Sequence, residues 1–107
     1  MAIFDQREQG FEAKYVHDQN LEFRIRARRN HLLGLWAGDL LGLKGDELAL
    51  YTGTVLSADL AEPGDGDVLR KIAADFLGAN LEPSEADIRV KMDQLLAVAR
   101  REVVTGE

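Results

Sequence analysis

Cysteine is absent from this 107-residue chain, proline occurs only at positions 63 and 83, and histidine only at positions 17 and 31. Without thiols there are no disulfides, no cysteine nucleophile and no cysteine-ligated zinc, and the chain suits a reducing compartment. His17 and His31 alone do not make a zinc ligand set, so no metal site is expected. Long apolar runs are missing as well. No stretch reaches the roughly 18–20 residues needed to cross a bilayer, and the opening MAIFDQREQG has neither the basic start nor the apolar run of a secretory signal. A cytoplasmic protein that does not insert into membranes is expected. Strand patterning is also lacking: the nearest approach, residues 50–55, lies inside a longer helical stripe without sustained alternation.

What is present is apolar spacing of three and four, broken by turn signals. Leu21, Ile25, Leu32, Leu35, Trp36 and Leu40 stripe a segment from about Gln19 to Leu41, with Gly42 as its stop. A second helix is predicted from about Asp46 to Ala61 on Leu48, Tyr51, Val55, Leu56 and Leu60, with Asp46 and Glu47 at its positive end and the turn Glu62-Pro63-Gly64 after it. A third, from about Asp67 to Gly78, aligns Val68, Leu69, Ile72, Phe76 and Leu77, with Asp65 or Asp67 as its cap. The fourth opens at Pro83-Ser84. Ser84 with Asp87 resembles a capping box, followed by Ile88, Met92, Leu95, Leu96, Ala99 and Val103. Four helices with short links predict an all-α four-helix bundle.

The net charge of −6 is unevenly distributed. Residues 1–43 hold six basic and six acidic groups, so the whole excess lies in residues 44–107. Such a body repels nucleic-acid phosphates, and no nucleic-acid partner is expected. Composition shifts at about residue 18, before which Ile3, Phe4, Phe11, Tyr15 and Val16 are the large apolar groups. The division expected is an arm over residues 1–17 and a bundle over residues 18–107. Phe4, Phe11 and Tyr15, spaced by seven and four, share one face of a helix, while Arg7, Glu8, Glu12 and Lys14 keep the remainder soluble. Gly10 adds roughly 1 kcal/mol against that helix, and so few apolar groups do not offset the ordering entropy without a surface to dock on. The arm is therefore expected to be flexible or weakly helical alone, packing on its own bundle or folding on a partner's groove.

These residues carry a resemblance. Phe4-Asp5 with Arg7-Glu8, Phe11-Glu12 with Lys14-Tyr15, Asp18 with Leu21, Phe23, and above all ARRN (27–30) continuing through LLGLWA (32–37) resemble the zeta-type ATPase inhibitor subunit of alpha-proteobacterial F-type ATP synthases. Looser similarity continues through Asp67-Val68, Arg70-Lys71 and Asp75-Phe76. The resemblance implies an N-terminal inhibitory segment that enters a catalytic α/β interface of the ATPase head, near the central γ stalk, and blocks rotation in the hydrolysis direction. It assigns partner binding to Phe4, Asp5, Arg7, Glu8, Phe11, Glu12, Lys14 and Tyr15. Gly10 and His31 depart from the family pattern, which suggests a better helix former and a basic residue there.

An alternative function rests on Arg24, Arg28 and Arg29 as contacts for an anion or an adenine nucleotide, which makes the bundle a small-ligand sensor. On a helix these side chains spread over more than one face and can pair with Glu22 or with acids of neighbouring helices, which favours a solvated charged face. Trp36 sits among leucines and reads as core. Gly34, Gly38 and Gly42 recur every four residues; with Asp39 among them and no membrane-length run, they indicate close helix packing. GDGD (64–67) lacks the ligand spacing of a calcium loop and reads as turn plus cap, and GLKG (42–45) lacks the full P-loop pattern. No nucleophile stands in a recognisable motif beside either histidine, so neither an enzyme nor a cofactor is expected.

Overall fold

Helical spacing punctuated by glycine and Ser84 becomes four helices: α1 (Ala2–Leu40), α2 (Gly45–Ala61), α3 (Gly66–Gly78) and α4 (Glu85–Thr105). The structure, a computed structural model, describes residues 2–61 and 65–106, with side chains described for 19–59 and 65–106. Among the described residues there is no strand, and the all-α class expected from the sequence holds.

Three of the four helix starts fall within one residue of those expected, and one does not. Helix α1 begins at Ala2 rather than near Gln19. Apolar periodicity marks where a helix packs, whereas its hydrogen bonds can begin earlier among good helix formers. The order of the arm and the eight partner-binding residues assigned to it lie outside the described side chains, as does the turn at 62–64.

The ends of the helices are chemically closed. Gly42 has φ +82°; its own N–H donates to Asp39 O at 3.0 Å, and Leu43 N–H donates to Gly38 O at 2.9 Å. This is a Schellman stop, in which a left-handed residue lets the chain satisfy carbonyls left over by the last turn. Asn80, at φ 57°, ends α3 in the same way, with Leu81 N–H on Phe76 O at 2.9 Å. At the start of α4 the expected capping box is complete. Asp87 N–H donates to Ser84 Oγ at 3.2 Å, and Ser84 N–H donates to Asp87 Oδ2 at 2.9 Å. That backbone donor holds the Asp87 carboxyl below its ordinary range.

Helix α1 packs most extensively on α2 and α4, and α3 closes the ring between them. The crossing with α2 is glycine-mediated. A Cβ at Gly34 would stand 3.0 Å from Thr52 Cα, and one at Gly38 would collide with Leu48 Cδ1. The glycine spacing therefore serves close approach, as predicted. The core is formed by Leu33, Ala37, Val55, Val68, Leu69, Ile72, Phe76, Ile88 and Met92. On α1 the buried stripe is Ile25, Arg29, Leu33 and Ala37, whereas Leu32, Leu35 and Trp36 are half-buried and Leu40 is exposed. The predicted stripe is thus rotated, because close approach to α2 turns the small residues inward and the leucines toward the flank. Trp36 still packs on the core, edge-on to Phe76 with centroids 5.6 Å apart and planes at 71°.

Helix lengths differ in a way that shapes the molecule. Helix α3 has 13 residues and α4 has 21. At 1.5 Å per residue, α4 is longer than α3 by about 12 Å.

Candidate functional site

The arginines offered by the sequence as an anion site are drawn apart by the fold. Arg24 is exposed. Arg28 Nε donates to Glu102 Oε2 of α4 at 2.5 Å. Arg29 is only 2% exposed, a correction to the solvated face expected for it. Its burial is compensated by hydrogen bonds. Nε and Nη2 both donate to Asn30 Oδ1, at 3.0 and 2.8 Å, and Nη2 also donates to Asp65 Oδ1 at 2.9 Å. Arg26 Nη2 donates to Asp59 Oδ1 at 2.8 Å and reaches Asp65 Oδ1 at 3.4 Å. A guanidinium cannot shed its charge, so a buried one must be met by acceptors in place.

Asp65 is the shared partner, and this explains a second correction. It occupies the N-cap position of α3, yet its side chain makes no capping hydrogen bond. The carboxylate is taken by Arg29 and Arg26 instead, and the Asp65 carbonyl accepts from Leu69 N–H at 3.0 Å. Asp67, the other predicted cap, pairs with Arg70. The Arg29 hydrogen bond holds the Asp65 carboxyl below its ordinary range against partial burial, with Arg26 and Arg89 adding attraction. On the same side Arg100 Nη1 and Nη2 hold Glu22 at 2.9 and 3.3 Å, which lowers the Glu22 carboxyl.

Glu22, Arg26, Arg29, Asp65, Leu96 and Arg100 line one cavity of about 210 Å³ between α1, α4 and the start of α3. Its cations already have anionic partners, so it is a neutralised junction rather than an open anion receptor. Asp59, Arg100 and Glu102 were not singled out from the sequence, and Asp65 was read there only as a helix cap. One signal was readable. Ile25, Arg29, Leu33 and Ala37 stand four apart, so Arg29 interrupts an otherwise apolar row and requires an acid from elsewhere in the chain.

Among the described residues no group of three His, Cys, Asp or Glu side chains is placed to hold a metal ion. Among the same residues no helix is long and apolar enough to cross a membrane.

A solved structure, described as a solution NMR structure, is similar to this chain at 40% identity and a TM-score of 0.70, covering 81% of this chain and 99% of that one. A search of curated protein sequences finds no match. The family model described as ATPase inhibitor subunit zeta matches residues 1–102, a span that takes in the arm, the arginine-rich first half of the bundle and nearly all of α4. A four-helix fold with these boundaries and a family match over almost its whole length lead to one assignment: the chain belongs to the ATPase inhibitor subunit zeta family.

Proposed function

We propose that this inhibitor acts by inserting residues 1–17 into a catalytic α/β interface of the F-type ATP synthase head, near the γ stalk, where the segment wedges one conformation and stops rotation in the hydrolysis direction. Phe4, Phe11 and Tyr15 are the apolar anchors; Asp5, Arg7, Glu8, Glu12 and Lys14 set register at the rim. Anchors of this kind contribute most of the affinity, and rim charges act mainly on encounter and orientation. Residues 18–107 are the carrier, held at the cytoplasmic side of the membrane through the head.

The observation that carries this reading is the family match beginning at residue 1, so that the arm is part of what defines an inhibitor subunit. The geometry supports it. Helix α1 starts at Ala2, while the Glu22–Arg100 pair already lies close to the end of α4 at Thr105, which favours an arm that leaves the bundle past that end. Inhibition then needs no bond chemistry. A wedge that prefers one state traps the motor by no more than its difference in affinity between states, and shifting a two-state equilibrium from 1:99 to 99:1 takes about 10⁴-fold. The adenine-nucleotide reading gains nothing from the fold, because Arg28 and Arg29 are engaged by Glu102 and Asp65.

Deleting residues 1–17 is expected to abolish inhibition of ATP hydrolysis by the purified cognate ATPase while circular dichroism still shows a cooperative helical melt. Inhibition that persists at full strength in the shortened protein overturns the wedge.

A further inference from the structure

Residues 11–33 contain neither glycine nor proline, the usual causes of a kink, and α1 runs as one helix from Ala2 to Leu40. A change in how α1 lies on the bundle is therefore passed along its axis to the arm. Two ion pairs with α4 control that lie. Arg100 sets two nitrogens on the two carboxylate oxygens of Glu22, at 2.9 and 3.3 Å, and Arg28 Nε donates to Glu102 Oε2 at 2.5 Å. On α1, Glu22 and Arg28 project roughly 60° to either side of Ile25, and on α4 Arg100 and Glu102 fall on opposite sides of Ala99. Ile25 and Ala99 are fully buried, so the two pairs straddle a buried seam and oppose both rolling and tilting of α1. Stability alone does not account for the outer pair. The Arg100 and Glu22 side chains are 50% and 55% exposed, and ion pairs this open to water add little to folding free energy. What a guanidinium fork on a carboxylate adds is direction.

We infer that Glu22–Arg100 and Arg28–Glu102 form a clasp that aims the arm, four positioning residues that hold α1 at the angle at which Phe4, Phe11 and Tyr15 meet the catalytic interface. The inference rests on the wedge reading and names what orients the wedge. Phe11 stands 11 residues before Glu22, about 16 Å along the axis, so a tilt of about 10° at the clasp carries it about 3 Å sideways. An apolar contact already forfeits a quarter to a half of its attraction over a gap of roughly 0.5–1 Å. A small tilt therefore unseats an anchor. Without the clasp, α1 samples angles among which docking must select; with it, that freedom is removed before the arm meets the head, and binding costs less. Arg26 and Arg29 line the same cavity as Glu22 and Arg100 but are held by Asp59, Asn30 and Asp65. The clasp is thus separate from the tether to the corner before α3.

The test uses the full-length chain and the purified cognate ATPase, with hydrolysis assayed well below the lowest melting midpoint so that every variant is folded. Glu22→Arg and Arg100→Glu are made singly and together, and so are Arg28→Glu and Glu102→Arg. Each single reversal is expected to raise the concentration for half-inhibition about fivefold, and each charge swap to return it to within about twofold of the unaltered chain. Melting midpoints of the Glu22 and Arg100 variants stay within about 3 °C of the parent, so the loss does not follow stability. Orientation is read directly. The chain has no cysteine, so Gln9→Cys with Gln94→Cys places two spin labels, and double electron–electron resonance on the head-bound complex gives their separation. The distance is narrow in the unaltered and swapped chains and broadened or displaced in the single reversals. Reversals that inhibit as the unaltered chain does overturn the clasp. So do weakened reversals that neither swap rescues, since each charge then acts on the head itself, and so does an unaltered distance in reversals that inhibit poorly. Phe4→Ala with Phe11→Ala reports on the wedge alone: full inhibition by that variant overturns wedge and clasp together, whereas its failure to inhibit, beside harmless reversals, overturns only the clasp.

Discussion

The two ends of the bundle are held by different physics. At one end Leu33, Ala37, Val55, Ile72, Phe76, Ile88 and Met92 form a continuous apolar cluster, tightened by the glycine crossing of α1 on α2. At the other, Ile25 and Ala99 are buried but stand outside that cluster, and the contacts between elements are ion pairs: Arg26 with Asp59, Arg29 with Asp65, Arg28 with Glu102, Arg100 with Glu22. Apolar burial provides driving force without direction, whereas hydrogen-bonded charges accept few geometries. The first end makes the protein fold; the second fixes how α1 lies against α4 and against the corner before α3.

That division can be broken by substitution. Phe76→Ala removes the largest apolar side chain of the closed end and is expected to cost about 3–5 kcal/mol, lowering Tm by more than about 12 °C in a thermal melt. Arg29→Ala follows at about 3 kcal/mol, since it leaves a void, an unmatched Asn30 and a stranded Asp65; urea titration reads it directly. If Arg29→Ala cost less than about 1 kcal/mol, the claim that charge positions this end would fail.

Asp65→Asn sharpens the comparison through pH. The Asp65 carboxyl is depressed in the folded state, so its stabilising effect is fully present above the unfolded carboxylate value of about 3.9 and is lost as pH falls through the lower folded value. The variant is expected to lie about 1–2 kcal/mol below the parent at pH 7, a figure reduced for the partial exposure of Asp65, and the gap closes in urea titrations carried toward pH 3. A constant gap across that range would remove Asp65 ionisation from the account.

The smallest effects compare two glycines. Gly34→Ala places a methyl against the Thr52 backbone and is expected to lower stability by about 1 kcal/mol, overpacking outweighing helix propensity. Gly53→Ala, inside α2 with open space around it, is expected to raise stability by about 0.5–1 kcal/mol. Opposite signs in one set of denaturation curves would confirm that only the first glycine serves the crossing.

Much of this was legible in the sequence because it is local. The stop at Gly42, the box at Ser84 and Asp87, and the burial of Val68, Leu69, Ile72 and Phe76 follow from residues within a few positions of one another. The glycine spacing, too, foretold a close crossing. What stayed hidden is nonlocal. That Asp65 would answer Arg29, 36 positions away, depends on the length of α2, and the rotation of the α1 stripe depends on which neighbour it meets. Asp65 looked like a cap because a carboxylate before a helix usually is one, but a buried cation competes for it more strongly than a backbone amide does.

Arg29 has one further consequence. A lysine at this position could survive in the dry by giving up its proton, whereas an arginine stays cationic at every pH a cell offers. The need for Asp65 is therefore permanent, and the corner ahead of α3 is tethered to α1 for as long as the protein is folded. Arg29→Lys, conservative on paper, loses the fork that spans Asn30 and Asp65 and turns a fixed rivet into a joint that loss of a proton can loosen.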